Sequence, residues 1–371
     1  MIKTKQKKLT VLQIIPELNS GGVERGTLEV GKHLVEKGHN SIVISGGGRM
    51  RRQLVKDGSK HIQWPIGKKS LLTFRYVLII ARFIEDNKVD IVHVRSRFPA
   101  WVCFFALKII PIKKRPKFIT TVHGPYSVNL YSEIMIKGDR VIVISETIKK
   151  YVLNNYKINP DKLFLNYRGV DSHEFPYLHK PDKLWVDKWN KSYPNTKNKV
   201  LLTLPARITR WKGQKDFIEI IAKLKKEHSN IIGLIVGDVK SNKKNFLREL
   251  KEKVKELHIE KNILFIEHRS DLREIMSISK IVFSLSIEPE AFGRTTIESL
   301  KLGVPVIGYD HGGVGEQLKE IFPQGKIKKK NLLQAAQLAS KWIIEPPEVP
   351  FSKLFSLNEM LENTLKVYES V

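Results

Sequence analysis

Short apolar runs alternate with amphipathic stretches along almost the whole chain, and few architectures accommodate that order. Strands that each bury both faces and are joined by helices form parallel sheets with helices packed on either side. In the first half the expected strands are Thr10–Ile15, Asn40–Ser45, Ile91–Val94, Phe118–Val122 and Arg140–Ile144, with a helix over Glu24–Lys37 whose apolar positions recur at helical spacing. In the second half they are Val200–Leu204, Ile231–Val236, Ile263–Ile266, Ile281–Ser286 and Val304–Gly308, with a last helix over Leu357–Glu369 after the turn I-E-P-P-E-V-P. Between the halves, Asp171–Lys199 contains Pro176, Pro181 and Pro194 without a sheet pattern and reads as a linker. A chain of 371 residues exceeds what one core usually supports, so two α/β domains are expected. The boundaries expected are 1–180, 181–350 and a terminal segment 351–371 whose helix packs back toward the first domain.

Charge narrows the partners. The formal net charge is +27, and roughly two-thirds of the excess lies in the first 180 residues. A balance this basic implies an anionic partner or surface, or a lysine-favouring genome. Nucleic acid is not expected, because zinc-finger spacing, aromatic-glycine RNA-binding signatures and helix-turn-helix patterns are missing. The stretches Lys68–Phe83 and Phe98–Lys117 mix apolar and aromatic residues with lysine and arginine, as interfacial helices do; they fit equally the buried helices of an α/β layer. Neither reaches the roughly 18 apolar residues of a bilayer span. The start, M-I-K-T-K-Q-K-K, is basic, yet the apolar run Leu9–Pro16 is too short for a signal peptide and reads as the first buried strand. One cysteine, Cys103, excludes an intrachain disulfide and suits a reducing compartment. A cytoplasmic protein is expected, peripheral on the inner face of the cytoplasmic membrane if its charge meets lipid.

The chemistry concentrates in two segments of the second half. Ser284–Gly313 reads S-L-S-I-E-P-E-A-F-G-R-T-T-I-E-S-L-K-L-G-V-P-V-I-G-Y-D-H-G-G, a strand end and a Pro/Gly loop followed by a helix over Thr295–Leu302 that Thr295 or Thr296 can cap. A helix N-terminus there favours a phosphate, and Glu290 and Glu298 can accept hydrogen bonds from hydroxyls beside it. Leu204–Phe217 places Arg207 and Lys212 on the loop after another strand, where a guanidinium and an ammonium can neutralise a pyrophosphate. Taken singly, each glutamate reads as a solvated carboxylate; the pairing of the two segments points to a sugar joined to a phosphate.

The motif order resembles that of the retaining glycosyltransferases of family 4 with the GT-B fold. The residues that carry the resemblance are G-G-V-E-R at Gly21–Arg25, H-G at His123–Gly124, R-x4-K-G at Arg207–Gly213, Gly237-Asp238, the E-x7-E element from Glu290 to Glu298, and G-V-P-V-I-G at Gly303–Gly308. The resemblance implies two Rossmann-like domains facing each other across a cleft, the second holding a nucleotide-sugar and the first most of the acceptor. It implies that Arg207 and Lys212 bind the diphosphate and stabilise its growing charge, and that Glu290 accepts from sugar hydroxyls. Phe292, Gly293 and Thr295 would sit at the sugar or phosphate, Glu298 at the ribose, and Gly237, Asp238 and Glu316 along the nucleotide. Gly21 and Gly22 would admit the phosphate closely, and His123 would lie by the transferred sugar.

Structural readings stand beside these. Gly21 and Gly22 also suit a tight strand-to-helix turn, His123 a buried histidine, and Ser145-Glu146 a helix cap. His93, Arg95 and Arg97 lie at a strand end where α/β proteins place ligands and are acceptor-site candidates. The donor implied is a GDP-, UDP- or ADP-linked hexose and the acceptor a glycan or glycolipid. No cofactor and no metal are expected, because the two cations can replace a divalent ion. The stretch L-P-A-R-x-T-R-W-K-G-Q resembles bacterial transferases of lipopolysaccharide core synthesis. Ala206 stands where the family has glycine, and V-K-S-N follows Gly237-Asp238 in place of a glycine-rich stretch. The alternatives are a GT-B nucleotide-sugar epimerase and a basic, non-catalytic protein binding membrane or nucleic acid.

Overall fold

The computed structural model describes residues 7–19, 21–239 and 244–371. The chain divides into two units, Met1–Arg168 with Asn358–Val371, and Gly169–Leu357. Strands of the first unit are β1 (Thr10–Ile14), β2 (Asn40–Ser45), β3 (Lys60–Gln63), β4 (Ile91–Val94), β5 (Lys117–Val122), β6 (Arg140–Val143) and β7 (Leu163–Leu165). They form one parallel sheet in the order β3-β2-β1-β4-β5-β6-β7. The second unit holds β8 (Val200–Pro205), β9 (Ile231–Val236), β10 (Ile263–Ile266), β11 (Ile281–Ser284), β12 (Val306–Tyr309) and β13 (Lys326–Ile327), parallel in the order β10-β9-β8-β11-β12-β13. The central strands are buried on both faces, which is why they read as predominantly apolar runs.

Each sheet reverses its strand order once, between β1 and β4 and between β8 and β11. In doubly wound sheets the loops at the carboxyl ends of the strands flanking such a reversal diverge and leave a crevice. The segments after β8 and β11 are the two in which the sequence concentrates its chemistry.

The structure corrects several expectations. Asp171–Lys199 is not a bare linker. It carries the helix Lys183–Ser192, capped by Asp182. Trp185 and Trp189 of that helix stack with centroids 5.3 Å apart and pack on Leu234, Val236, Ile266 and Ile275 of the second core. Three strands without a strong apolar signal, β3, β7 and β13, extend the sheets at or near their edges. The helix expected from Thr295 spans Arg294–Lys301 with Gly293 at its N-cap, so neither Thr295 nor Thr296 caps it. Thr295 instead lends its carbonyl to the Ser299 hydroxyl.

The final helix, Leu357–Glu369, supplies core side chains to the first unit. The Asn166 amide donates to the Met360 carbonyl and to Thr364 Oγ1. Cys103 is buried, and burial pushes its thiol pKa up, leaving it protonated and inert.

Candidate active site

The loop after β8 and the loop after β11 are stitched together backbone to backbone. The Ile287 N–H donates to the Trp211 carbonyl at 2.7 Å. Gly213, with φ of 77°, sits so close to β11 that a Cβ there would lie 2.0 Å from the Leu285 carbonyl oxygen, so only glycine lets the loops meet. This contact carries Lys212 to Glu290, whose Oε1 lies 2.7 Å from the ammonium. The Ser286 hydroxyl donates to the same Oε1 at 2.5 Å, and Nε2 of His311 lies 2.7 Å from the Ser286 carbonyl. Two partners thus hold one oxygen of Glu290 in place, while Oε2 makes no hydrogen bond among the described residues.

Around that carboxylate two helices begin without side-chain caps, Arg294–Lys301 after Gly293 and Gly312–Ile321 after His311. Their amide ends give a positive local potential. The Gly313 N–H donates to the Glu290 carbonyl at 2.8 Å, and a Cβ on Gly312 would meet that carbonyl oxygen at 2.7 Å. The glycine pair therefore clamps the loop that bears Glu290. One turn into the first of these helices, buried Glu298 receives Nε of Arg294 at 2.6 Å. Phe292 is buried against Phe355, and its carbonyl accepts from the Gln317 amide.

Arg207 is exposed, with its carbonyl accepting from Gln214 Nε2 at 2.9 Å. The Asp238 carbonyl accepts from the Ile208 N–H, and Gly237 packs on the Ala206 backbone. Arg207, Gly237 and Asp238 are therefore neighbours, although the ion pair forms through Lys212. Glu316 is half-buried on the helix that starts at Gly312. Of the V-K-S-N departure, residues 240–242 lie outside the described residues.

Residues of the first unit gather at the other strand reversal. His93 is fully buried, with Nδ1 2.6 Å from the Tyr368 hydroxyl and Nε2 2.6 Å from Thr121 Oγ1. Burial, reinforced by Arg95, His123 and Arg168, pushes its pKa well below the ordinary 6.5. Arg95 is also buried and donates to Gln13 Oε1 at 3.0 Å. Arg97 donates to Ser132 and lies over the rings of Tyr126 and Tyr131. The His123 imidazole is likewise pushed well below its ordinary value, by burial and then by Arg168 and Arg95, and its enclosed Nε2 makes no hydrogen bond among the described residues. Gly21 is the N-cap of the helix Gly22–Glu36, with φ of 138°.

Comparison with known proteins gives this arrangement a family. The model of Glycosyltransferase Family 4 matches residues 20–174, and that of Glycosyl transferases group 1 matches residues 186–350. A solved glycosyltransferase from Rickettsia africae ESF-5 is 34% identical with a TM-score of 0.83, covering 98% of this chain and 98% of that one. This chain belongs to the glycosyltransferases of family 4 and GT-B type. The glycosyltransferase is also 26% identical, over 318 residues, to the N-acetyl-alpha-D-glucosaminyl L-malate synthase of Bacillus anthracis, an alignment covering 82% of this chain and 79% of the relative. It shares its fold with Anabaena HepE, solved in complex with UDP and glucose, at 16% identity and a TM-score of 0.83, over 98% of this chain and 100% of that one.

Sequence reading of the glycosyltransferase missed the residues that hold its two glutamates: Ser286, His311 and Arg294. Ser286 precedes Glu290 by four positions and Arg294 precedes Glu298 by four, a spacing that signals contact on a helix. For Arg294 that signal was available. Ser286 lies in a loop, where spacing says nothing about contact.

Proposed function

We propose that the glycosyltransferase moves a hexose from a nucleoside diphosphate sugar to a hydroxyl of a glycan or glycolipid in cell-envelope synthesis, with retention at the anomeric carbon and without a metal ion. The observation that carries this reading is the pinning of Glu290 Oε1 by Lys212 and Ser286, which leaves Oε2 to accept from a sugar hydroxyl beside two uncapped helix starts. Lys212 and Arg207 serve the diphosphate. As the bond from the anomeric carbon to the phosphate oxygen breaks, charge grows on the leaving group, and preorganised cations lower the barrier by several kcal/mol, on the order of what one such donor contributes elsewhere.

The new bond forms from the acceptor oxygen to the same carbon and on the same face, and the acceptor proton passes to the departing phosphate oxygen. Glu290 and Glu298 have different partners, Lys212 with Ser286 and Arg294, and in this reading they meet different parts of the donor instead of forming the carboxylate pair of a double displacement. Glu298 takes the ribose hydroxyls, exchanging part of its hold on Arg294 for them. His123, held neutral, has a ring nitrogen suited to a sugar hydroxyl. The UDP and glucose bound by Anabaena HepE favour a UDP-linked donor over its GDP and ADP counterparts.

Thermal unfolding of the purified protein with UDP-, GDP- and ADP-hexoses, in chelator, tests the reading, because a ligand that binds only the folded state raises its apparent stability. One nucleotide class should raise the midpoint and Glu298→Ala should abolish the rise. A folded protein that responds to none of them overturns the reading.

A further inference from the structure

We infer that one face of the first unit docks on an anionic lipid bilayer. The face is built from the turn Leu71–Arg75, the helices Tyr76–Asp86 and Arg97–Ile109, and the turn Ile112–Lys114. Both helices bury one side, through Tyr76, Ile80 and Ile84 in the first and Val102, Cys103 and Leu107 in the second. Their other sides are not polar, as solvated faces are. Leu71 and Ile112 are 87% and 82% exposed, and Leu72, Leu78 and Ile109 are also more than half exposed. Of the 19 large apolar side chains exposed among the described residues, 10 fall between Leu71 and Leu130.

Ring contacts join the first turn to the second helix. Phe74 meets Phe98 and Phe105 at centroid distances of 6.0 and 6.1 Å, and Phe105 stacks on Trp101 at 5.5 Å. The rings tie the first turn and helix to the second helix, and an exposed apolar surface of this kind marks an interaction site.

Charge identifies the occupant. Residues 58–84 and 91–132 together hold 12 lysines and arginines and no aspartate or glutamate. Lys68, Lys69, Arg75, Lys108, Lys113 and Lys114 are exposed around the apolar side chains. Of the acids that flank these stretches, Asp86 pairs with Arg82, Asp90 with Lys7 and Glu133 with Lys137. A second copy of this chain would bring the same cations face to face. A nucleic acid would use the cations and leave the leucines in water. Anionic headgroups over acyl chains satisfy both sets at once: leucine and isoleucine enter the headgroup boundary while the lysines stay at the phosphates. The mode is interfacial, since no helix among the described residues is long and apolar enough to cross a membrane.

This surface is independent of the donor assignment, and its test does not require transfer. The full chain is sedimented with vesicles of phosphatidylcholine, with and without phosphatidylglycerol, at low and high salt. It should bind the anionic vesicles, weakly bind the neutral ones, and be released by salt. Leu71→Ser with Leu72→Ser, and separately Lys113→Glu with Lys114→Glu, should each weaken binding at least tenfold while leaving the nucleotide-induced thermal shift unchanged. Equal binding to neutral and anionic vesicles, or none to either, overturns the proposal. So does a concentration-dependent dimer in light scattering that Leu71→Ser dissolves, which would assign the face to a second copy.

Discussion

The two strand reversals of this molecule receive polar and charged residues at equivalent places and differ in how far they satisfy them. At the reversal in the first sheet, between β1 and β4, the protein's own side chains engage each other. Both nitrogens of the buried His93 have partners, Tyr368 and Thr121, and buried Arg95 reaches Gln13, while Arg95 Nε and His123 Nε2 make no hydrogen bond among the described residues. At the reversal between β8 and β11, Lys212 and Glu290 grip each other but keep about a sixth of their side-chain surface exposed, and one carboxylate oxygen makes no hydrogen bond among the described residues. Position at a strand end therefore does not separate a ligand group from a structural one. On the proposed assignment, hydrogen-bonding capacity left unspent does, because a buried group with all partners satisfied has nothing to offer a substrate without first losing a bond.

The sharpest way to break this comparison is to remove a member of each set. Lys212→Ala should lower kcat with the donor by about 10²–10³, the cost of losing one preorganised donor to a developing anion, while the thermal midpoint stays near that of the parent. If Lys212→Ala unfolds the protein and leaves turnover per folded molecule intact, the ion pair at the second reversal is structural.

Tyr368→Phe should do the reverse, lowering stability by about 1–3 kcal/mol through an unpaired buried imidazole nitrogen and leaving kcat per folded molecule close to that of the parent. The same region sets an acid response. His93 and His123 are held below their ordinary pKa, so beneath about pH 6.5 the unfolded chain takes up protons that the folded chain refuses. Stability is then full above that pH and falls as pH decreases through it, a slope that urea unfolding at several pH values measures and that His93→Asn should flatten.

The smallest effect is the most diagnostic. Ser286→Ala removes one of the two partners on Glu290 Oε1, a loss of about 0.5–1.5 kcal/mol, roughly a tenfold fall in kcat/KM at most. The fall should appear with the intact nucleotide-sugar and be absent from the binding of the nucleoside diphosphate alone, because Glu290 is assigned to the sugar.

Sequence alone exposed the central strands and the two chemical segments, and the reason is physical. A parallel strand buried on both faces is dominated by apolar residues, as β1, β4, β9 and β11 are, with Gln13 and His93 among the buried polar exceptions on β1 and β4. An edge strand such as β3, K-H-I-Q, is only half covered and carries no such run. The helix Lys183–Ser192 was hidden because it sits among prolines, and the apolar residues its tryptophans pack on lie on β9 and β10 and a following helix. Within the site, Lys212, Glu290 and Glu298 stood out as charged residues in glycine-bearing loops. The His311–Ser286 contact did not, since it exists only because β11 and β12 lie side by side. The sealing of His93 was equally invisible, because its partner Tyr368 stands 275 positions along the chain.

That separation has a bearing on how the protein is made. The unit begun by the first residues needs a helix written by the last ones, whereas the second unit is complete once Leu357 has been added. At translation rates of about 5–20 residues per second, the 275 positions between His93 and Tyr368 take roughly 14–55 s to make, and through that interval, in which the whole second unit is also made, the first sheet holds an uncovered polar pocket.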